Sequence, residues 1–330
     1  MILLTKEVIQ LSAFEHLRLK FNEMVENGQS NGHGLEGEEE EEAPAIPSTA
    51  PTESKYEIPS AKLSEIKVTD YMRECLDKVA KDQGFQNYEI DVLHGSGIGD
   101  GFVGILFKVI IREKGEEKEM TVVLKTPPEN HARRHAFGAL DLFRREVYIY
   151  TEVLPAFVQF QEEKNIRLDT VGFANFPKCY FAEYNEEKDD AILIMEDLRL
   201  NGYKMWDKFV PTNFEHAKLL FIALGRLHAV SFAFKSQKPE LFAKFKELND
   251  FMSEKVTDEA FSNMLNGMID RAAGVYDEKD IKKRNRALKL KENLGVVMKE
   301  LVSPKLAEPF SVVGHGDCWS NNFMFQYKVS

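Results

Sequence analysis

An aspartate and an asparagine stand five positions apart in His315-Gly316-Asp317-Cys318-Trp319-Ser320-Asn321-Asn322, directly after the apolar run Phe310-Ser311-Val312-Val313. That run reads as a buried strand, which places the pair in a loop at a strand end. An aspartate so placed can accept or orient a hydroxyl proton, and the asparagine can reach back to a magnesium ion on a nucleotide. Asp317 is therefore the candidate base. Asn322 is the candidate metal ligand, its amide oxygen suiting a hard cation. His315 reads as a residue that packs the loop and hydrogen-bonds backbone, and Trp319 as core.

Three other stretches could handle a nucleotide. His94-Gly95-Ser96-Gly97-Ile98-Gly99-Asp100-Gly101-Phe102 is rich in glycine, which lets backbone amides approach a phosphate closely. Strand pattern lies on both sides of it, so a dinucleotide-binding strand–helix turn is disfavoured and a lid over phosphates carrying Gly97, Gly99 and Gly101 fits better. Lys125 ends the apolar run Thr121-Val122-Val123-Leu124, where an amine is costly unless it meets a counter-charge. Nucleotide phosphates and a helix-borne glutamate are such partners in phosphotransferases, and Glu146 on the next helical stretch is the candidate. Finally, Ile192-Leu193-Ile194-Met195-Glu196-Asp197-Leu198 turns from apolar to acidic. Its backbone from Glu196 to Leu198 suits an inter-lobe hinge that pairs with adenine, and an ordinary strand end fits the same pattern.

The elements that must position these groups change character along the chain. Residues 1–27 space Leu4, Val8, Leu11, Phe14, Leu17, Phe21 and Met24 near helical period. This predicts either an amphipathic helix that docks on the body or on a partner, or a short, weakly ordered one. Residues 28–60 hold the run Glu38 to Glu42, clustered glycines and four prolines, and are expected to be a disordered linker. From residue 61 to 198, helix 70–81 capped by Thr69 or Asp70 precedes strands at 88–92, 102–111 and 120–125. A helical stretch over 135–163 broken at Pro155 follows, then strands at 176–182 and 191–195. Residues 199–330 are almost wholly helical, with Asn213 capping a helix that lines up Leu219, Leu220, Leu224 and Leu227. The predicted class is α+β and two-lobed, a small β-rich N-lobe before a larger helical C-lobe.

Composition narrows the function. Apolar residues at 43% and charged residues at 29% are ordinary for a soluble globular chain. Of the net −11, residues 1–60 contribute −8 (12 acidic, 4 basic), leaving −3 elsewhere, which argues against nucleic-acid binding. Cys75, Cys179 and Cys318 are too few and too scattered for a disulfide framework or a zinc site. No apolar leader follows Met1 and no run reaches membrane-spanning length, so a cytoplasmic location without membrane contact is the expectation.

Taken in order, these marks resemble the insect ecdysteroid kinase-like family, also called CHK kinase-like. Its relatives are choline kinases and aminoglycoside phosphotransferases within the protein-kinase-like fold. The residues that carry the resemblance are Gly99-Asp100-Gly101-Phe102, Leu124-Lys125, Glu146-Val147-Tyr148-Ile149-Tyr150 with Leu154-Pro155, Met195-Glu196-Asp197-Leu198, Leu227-His228-Ala229, and His315-Gly316-Asp317 with Trp319 and Asn321-Asn322. It covers about residue 65 onward. It implies an ATP- and Mg2+-dependent phosphoryl transfer to a hydroxyl of an ecdysteroid-like or xenobiotic acceptor. Lys125 would hold the α/β-phosphates, Glu146 would orient Lys125, the 196–198 backbone would bind adenine, Asp317 would be the base and Asn322 a metal ligand. Gly316 stands where protein kinases prefer arginine, which points to a small-molecule acceptor. The family's later Asp-Phe-Gln-type metal segment does not follow Asn322, and the strand starting at Phe323 lacks a following hairpin partner. The expectation is thus a truncated C-lobe with impaired transfer; a catalytically inactive nucleotide- or partner-binding remnant is the alternative.

Overall fold

The computed structural model describes residues 66–95, 104–129, 134, 138–247, 258–301 and 303–327. The expected N-terminal helix and acidic linker lie outside these residues, and so do Gly97, Gly99 and Gly101. Two compact units are formed: 66–230 with 317–327, and 231–316.

The first unit opens with helix α1 (Asp70–Asp82). Thr69 caps it, its hydroxyl accepting from the Met72 amide at 3.1 Å, and Gly84 at φ 76° ends it. Strands β1 (Tyr88–His94), β2 (Ile105–Glu113), β3 (Glu119–Thr126), β4 (Cys179–Asn185) and β5 (Asp190–Glu196) form one antiparallel sheet in the order β1-β2-β3-β5-β4. The apolar face of α1 packs through Met72, Leu76 and Val79 on Phe107, Val109, Ile111, Val122, Leu124, Ile192 and Ile194. Because side chains alternate along a strand, burying Leu124 in that core sends Lys125 to the opposite face.

Helix α2 (Ala139–Tyr148) runs through a π-helical turn, Ile149–Val153, into α3 (Leu154–Glu163). The break expected at Pro155 is thus a widened turn within one helical run. Pro155 occupies the first turn of α3, where its missing N–H costs nothing, and the wider ring relieves its clash with the preceding turn. The strand expected at 176–182 starts three residues later, because Pro177 cannot donate to a ladder and Phe176 is engaged in a turn with the Ala174 carbonyl.

After β5, a 3-10 turn (Leu198–Asn201) leads to β6 (Tyr203–Met205), which pairs antiparallel with β7 (Met324–Gln326). The strand beyond Asn322 therefore has its partner upstream, more than a hundred residues away. Helix α4 (Phe214–Gln237) is capped as expected by Asn213, whose Oδ1 accepts from the His216 amide at 3.0 Å. Of the four leucines expected to share its buried face, Leu227 is buried and Leu219 is exposed. Among the described helices α4 is long and apolar enough, by length and composition, to cross a membrane, which corrects the expectation that no run has that length. A single helix of this kind says little, since core helices pass the same test, and its His216, Arg226 and Lys235 side chains are hydrogen-bonded within the protein.

The second unit holds the C-terminal part of α4, α5 (Pro239–Phe245), α6 (Glu259–Gly274), α7 (Ile281–Leu301) and the short α8 (Pro304–Ala307). Phe310-Ser311-Val312-Val313 is not a strand here. Side chains replace a neighbouring strand as backbone partners: Lys235 Nζ donates to the Pro309 and Ser311 carbonyls at 3.1 Å each, and the Val313 amide donates to Ser231 Oγ at 2.8 Å. Glu308 accepts from Lys235 and Lys246, which hold its carboxyl down at about 2 although its burial opposes them.

Candidate active site

Lys125 meets Glu146. The ammonium donates to Glu146 Oε2 at 2.6 Å, and both side chains are buried, with Lys125 6% and Glu146 3% exposed. Strand parity brings the amine to this face, and helical period brings the acid. Ala139, Phe143, Glu146 and Tyr150 recur every three or four residues, so Glu146 lies within an otherwise apolar stripe. The Lys125 ammonium also stands 5.3 Å from the Phe143 ring centre. Glu146 Oε1 is buried without a hydrogen-bond partner among the described residues. A charged pair kept in so dry a place, with one oxygen unsatisfied, is costly in the absence of a further ligand.

Gly95, in the glycine-rich stretch, and Gly104, shortly after it, are close-packed. A Cβ on Gly95 would lie 2.8 Å from the Phe107 carbonyl carbon, and one on Gly104 would lie 3.0 Å from the Phe143 ring and 3.2 Å from Lys125 Cε. Only glycine lets β2 leave the loop this close to the lysine.

At Glu196 the N–H is engaged by the Lys178 carbonyl at 2.8 Å, and the carboxylate accepts from the Lys178 amide and from Asn201. Leu198 opens the 3-10 turn, whose first amides have no partner within it. Asp197, buried, accepts from the Arg199 amide at 3.1 Å and from Arg199 Nε and Nη2 at 2.7 and 2.8 Å. Burial works against its charge, but Arg199 outweighs it and holds the carboxyl below the usual range. Arg199 Nη1 also donates to the Gly95 carbonyl at 3.1 Å, so one side chain ties Asp197 to the start of the glycine loop. Sequence reasoning missed Arg199; its spacing of two from Asp197 was the available signal.

Asp317 and Asn322 also come together. Asn322 Nδ2 donates to Asp317 Oδ2 at 2.7 Å and to the Asp317 carbonyl at 2.9 Å. The Trp319 amide closes on the Asp317 carbonyl at 3.1 Å, and a 3-10 turn (Ser320–Asn322) completes the bend. Gly316 sits at φ 79°, a left-handed conformation that an arginine would adopt only with strain, which gives the glycine a backbone reason. His315 is fully buried, and burial pulls its imidazole down to about 4, in line with a packing role. Trp319 departs from expectation: it is 43% exposed and not core.

The expected residues thus gather into two pairs, Lys125–Glu146 and Asp317–Asn322, both in the same compact unit. Such an ordered set is more than chance provides, and the model of the ecdysteroid kinase-like family matches residues 98–330, well over half of the chain. The chain belongs to the ecdysteroid kinase-like family. The match includes Gly99, Gly101, Lys125, Glu146, Glu196, Leu198, Asp317 and Asn322, while Gly97 lies one residue before it. No curated protein and no solved structure matches the chain. Membership makes it a small-molecule kinase-like protein, and its fold is the α+β, two-lobed kinase-like kind, a five-stranded antiparallel sheet followed by helices.

Among the described residues no group of three His, Cys, Asp or Glu side chains could hold a metal by itself. The residues present still suit magnesium as a shared ion. The Asn322 NH2 faces Asp317, which leaves the amide oxygen as its donor to a cation, and magnesium commonly completes its shell with water and nucleotide phosphates.

Proposed function

We propose that this chain is an ATP-dependent kinase that transfers the γ-phosphoryl group to a hydroxyl of an ecdysteroid-like or xenobiotic small molecule. The buried Lys125–Glu146 pair supports this reading more than any other observation, because it keeps an ammonium in a dry place with no evident structural need. Glu146 fixes the ammonium, and Lys125 meets the α/β-phosphates. By their place in the sequence Gly97, Gly99 and Gly101 are the residues assigned to the same phosphates, and the Glu196 carbonyl and Leu198 amide pair with adenine. Bound magnesium would neutralise phosphate charge, with Asn322 among its ligands. Asp317, oriented by the Asn322 amide, accepts the acceptor's hydroxyl proton as the oxygen bonds to phosphorus; the leaving β-phosphate oxygen departs with the ADP.

The test is ATP consumption with an ecdysteroid acceptor, alongside calorimetry of ATP binding with and without magnesium. Turnover abolished by Asp317→Ala is the expected result. Magnesium-independent ATP binding without turnover would instead favour the second reading, a nucleotide-binding protein without transfer activity, for which the lack of a carboxylate cluster among the described residues speaks.

A further inference from the structure

Immediately after Asp317 the loop borders a hollow of about 100 Å3. Trp206, His216, Leu220, Trp319, Phe323 and Phe325 form its walls. Those walls are apolar in effect as well as in composition, because their polar atoms are engaged with the protein. Trp206 Nε1 donates to the Val210 carbonyl at 2.9 Å. His216 Nδ1 donates to Asn213 Oδ1 at 2.6 Å, which leaves Nε2 to accept from the Tyr327 hydroxyl at 2.8 Å. The imidazole lies against the indole of Trp206, ring centres 4.2 Å apart, and burial lowers its pKa, so the wall is uncharged near neutrality. Two hydroxyls, Thr212 and Ser320, supply the polar contribution, and Cys318, exposed, stands at the lining beside Asp317.

We propose that this hollow is the acceptor subsite and that it seats one apolar ring of the hydroxylated substrate, with Thr212 and Ser320 hydrogen-bonding a ring substituent. The proposal rests on the kinase reading for its chemistry and on the cavity alone for its shape. The volume sets the scale: at about 100 Å3 the hollow is smaller than the engineered apolar cavity of about 150 Å3 that takes up benzene, so a single ring is the most it can hold and the remainder of a larger acceptor stays outside. With Thr212 and Ser320 as the hydroxyls in the lining, most of a sugar's hydroxyls would lose water without gaining partners, which disfavours a sugar. Position supplies the rest. The lining residues Cys318, Trp319 and Ser320 directly follow the candidate base, so a ring held here lies beside the loop that carries Asp317.

The chain's two tryptophans both line the hollow, which makes intrinsic fluorescence a direct report on it. Cyclohexylmethanol, an uncharged ring that does not absorb, is the probe, and glucose is the polar ring of similar size. The expected result is a saturable fluorescence change with cyclohexylmethanol at a dissociation constant on the order of 1 mM, no saturation with glucose, and affinity at least about tenfold weaker in Thr212→Phe, which fills the space. Alkylation of Cys318 by iodoacetamide in the unaltered chain, followed by peptide mapping, provides a second reading that does not depend on the variant folding. Saturating cyclohexylmethanol should slow it about tenfold. A linear response, equal binding of glucose, indifference to Thr212→Phe or unprotected Cys318 would overturn the subsite. Parallel calorimetry with ATP separates the two ideas. ATP bound without ring binding defeats the subsite alone, and ring binding without ATP binding defeats the kinase reading alone.

Discussion

Removing both members of the Lys125–Glu146 pair should harm the protein less than removing either one. At 2.6 Å and an effective dielectric near 20, the attraction is worth about 6 kcal/mol, against a desolvation cost of several kcal/mol for each buried ion. The net contribution to folding is therefore close to zero, and Glu146 Oε1, without a partner among the described residues, pushes it lower still. Lys125→Met strands a buried carboxylate and Glu146→Leu strands a buried ammonium; each should destabilise by about 3–5 kcal/mol. The double variant replaces charge by apolar volume and should return to within about 1 kcal/mol of the original, or exceed it. ATP binding follows a different rule: loss of the ammonium weakens it more than tenfold in Lys125→Met and in the double variant alike, whereas Glu146→Leu retains the ammonium. Urea unfolding gives the stabilities, and calorimetry gives the affinity. A double variant as unstable as the singles would show that the pair is a structural strut. One that is stable and still binds ATP normally would refute the assignment of Lys125 to phosphate.

Acid should weaken the fold in a defined window. Burial holds His315 at about 4, below its unfolded value near 6.5, so its stabilisation is complete above pH 6.5 and is lost as pH falls toward 4, amounting to about 3 kcal/mol. His216 and His228 shift in the same direction through burial, and urea midpoints measured from pH 7.5 to 4.5 should fall, less steeply in His315→Gln. Gly95→Ala drives a Cβ into the β2 backbone at 2.8 Å and should cost about 1–3 kcal/mol in unfolding experiments; a neutral outcome would contradict the close packing described. Arg199→Met frees both Asp197 and the Gly95 carbonyl, and should raise the KM for ATP about tenfold with a smaller effect on kcat. Equal losses in both constants would mean that Arg199 serves the chemical step and not the placement of the loop.

Single residues and short runs carried much of this site in the sequence. Thr69 caps α1 as its type and position require, Asn213 caps α4, and the alternation through Thr121-Val122-Val123-Leu124-Lys125 already placed the amine opposite the core. Asp317 and Asn322 lie five apart, close enough for one bend to join them, so their contact was readable as well. The Phe310–Val313 run misled because strand and buried loop share an apolar signature, and only the partners of the backbone distinguish them. Lys235 and Ser231, about eighty residues away, are those partners.

What the amino-acid order determined, then, is the chemical inventory and the local geometry: which groups can ionise, which side of a strand they face, which turns demand glycine. Tertiary structure alone decided the meetings across distance. Arg199 reaches Gly95, β6 pairs with β7, and Trp206, His216 and Phe325 enclose a ring-sized space with Trp319. Periodicity reports how a residue faces its own element, whereas a contact between elements depends on the packing of the whole chain, and no local spacing encodes that.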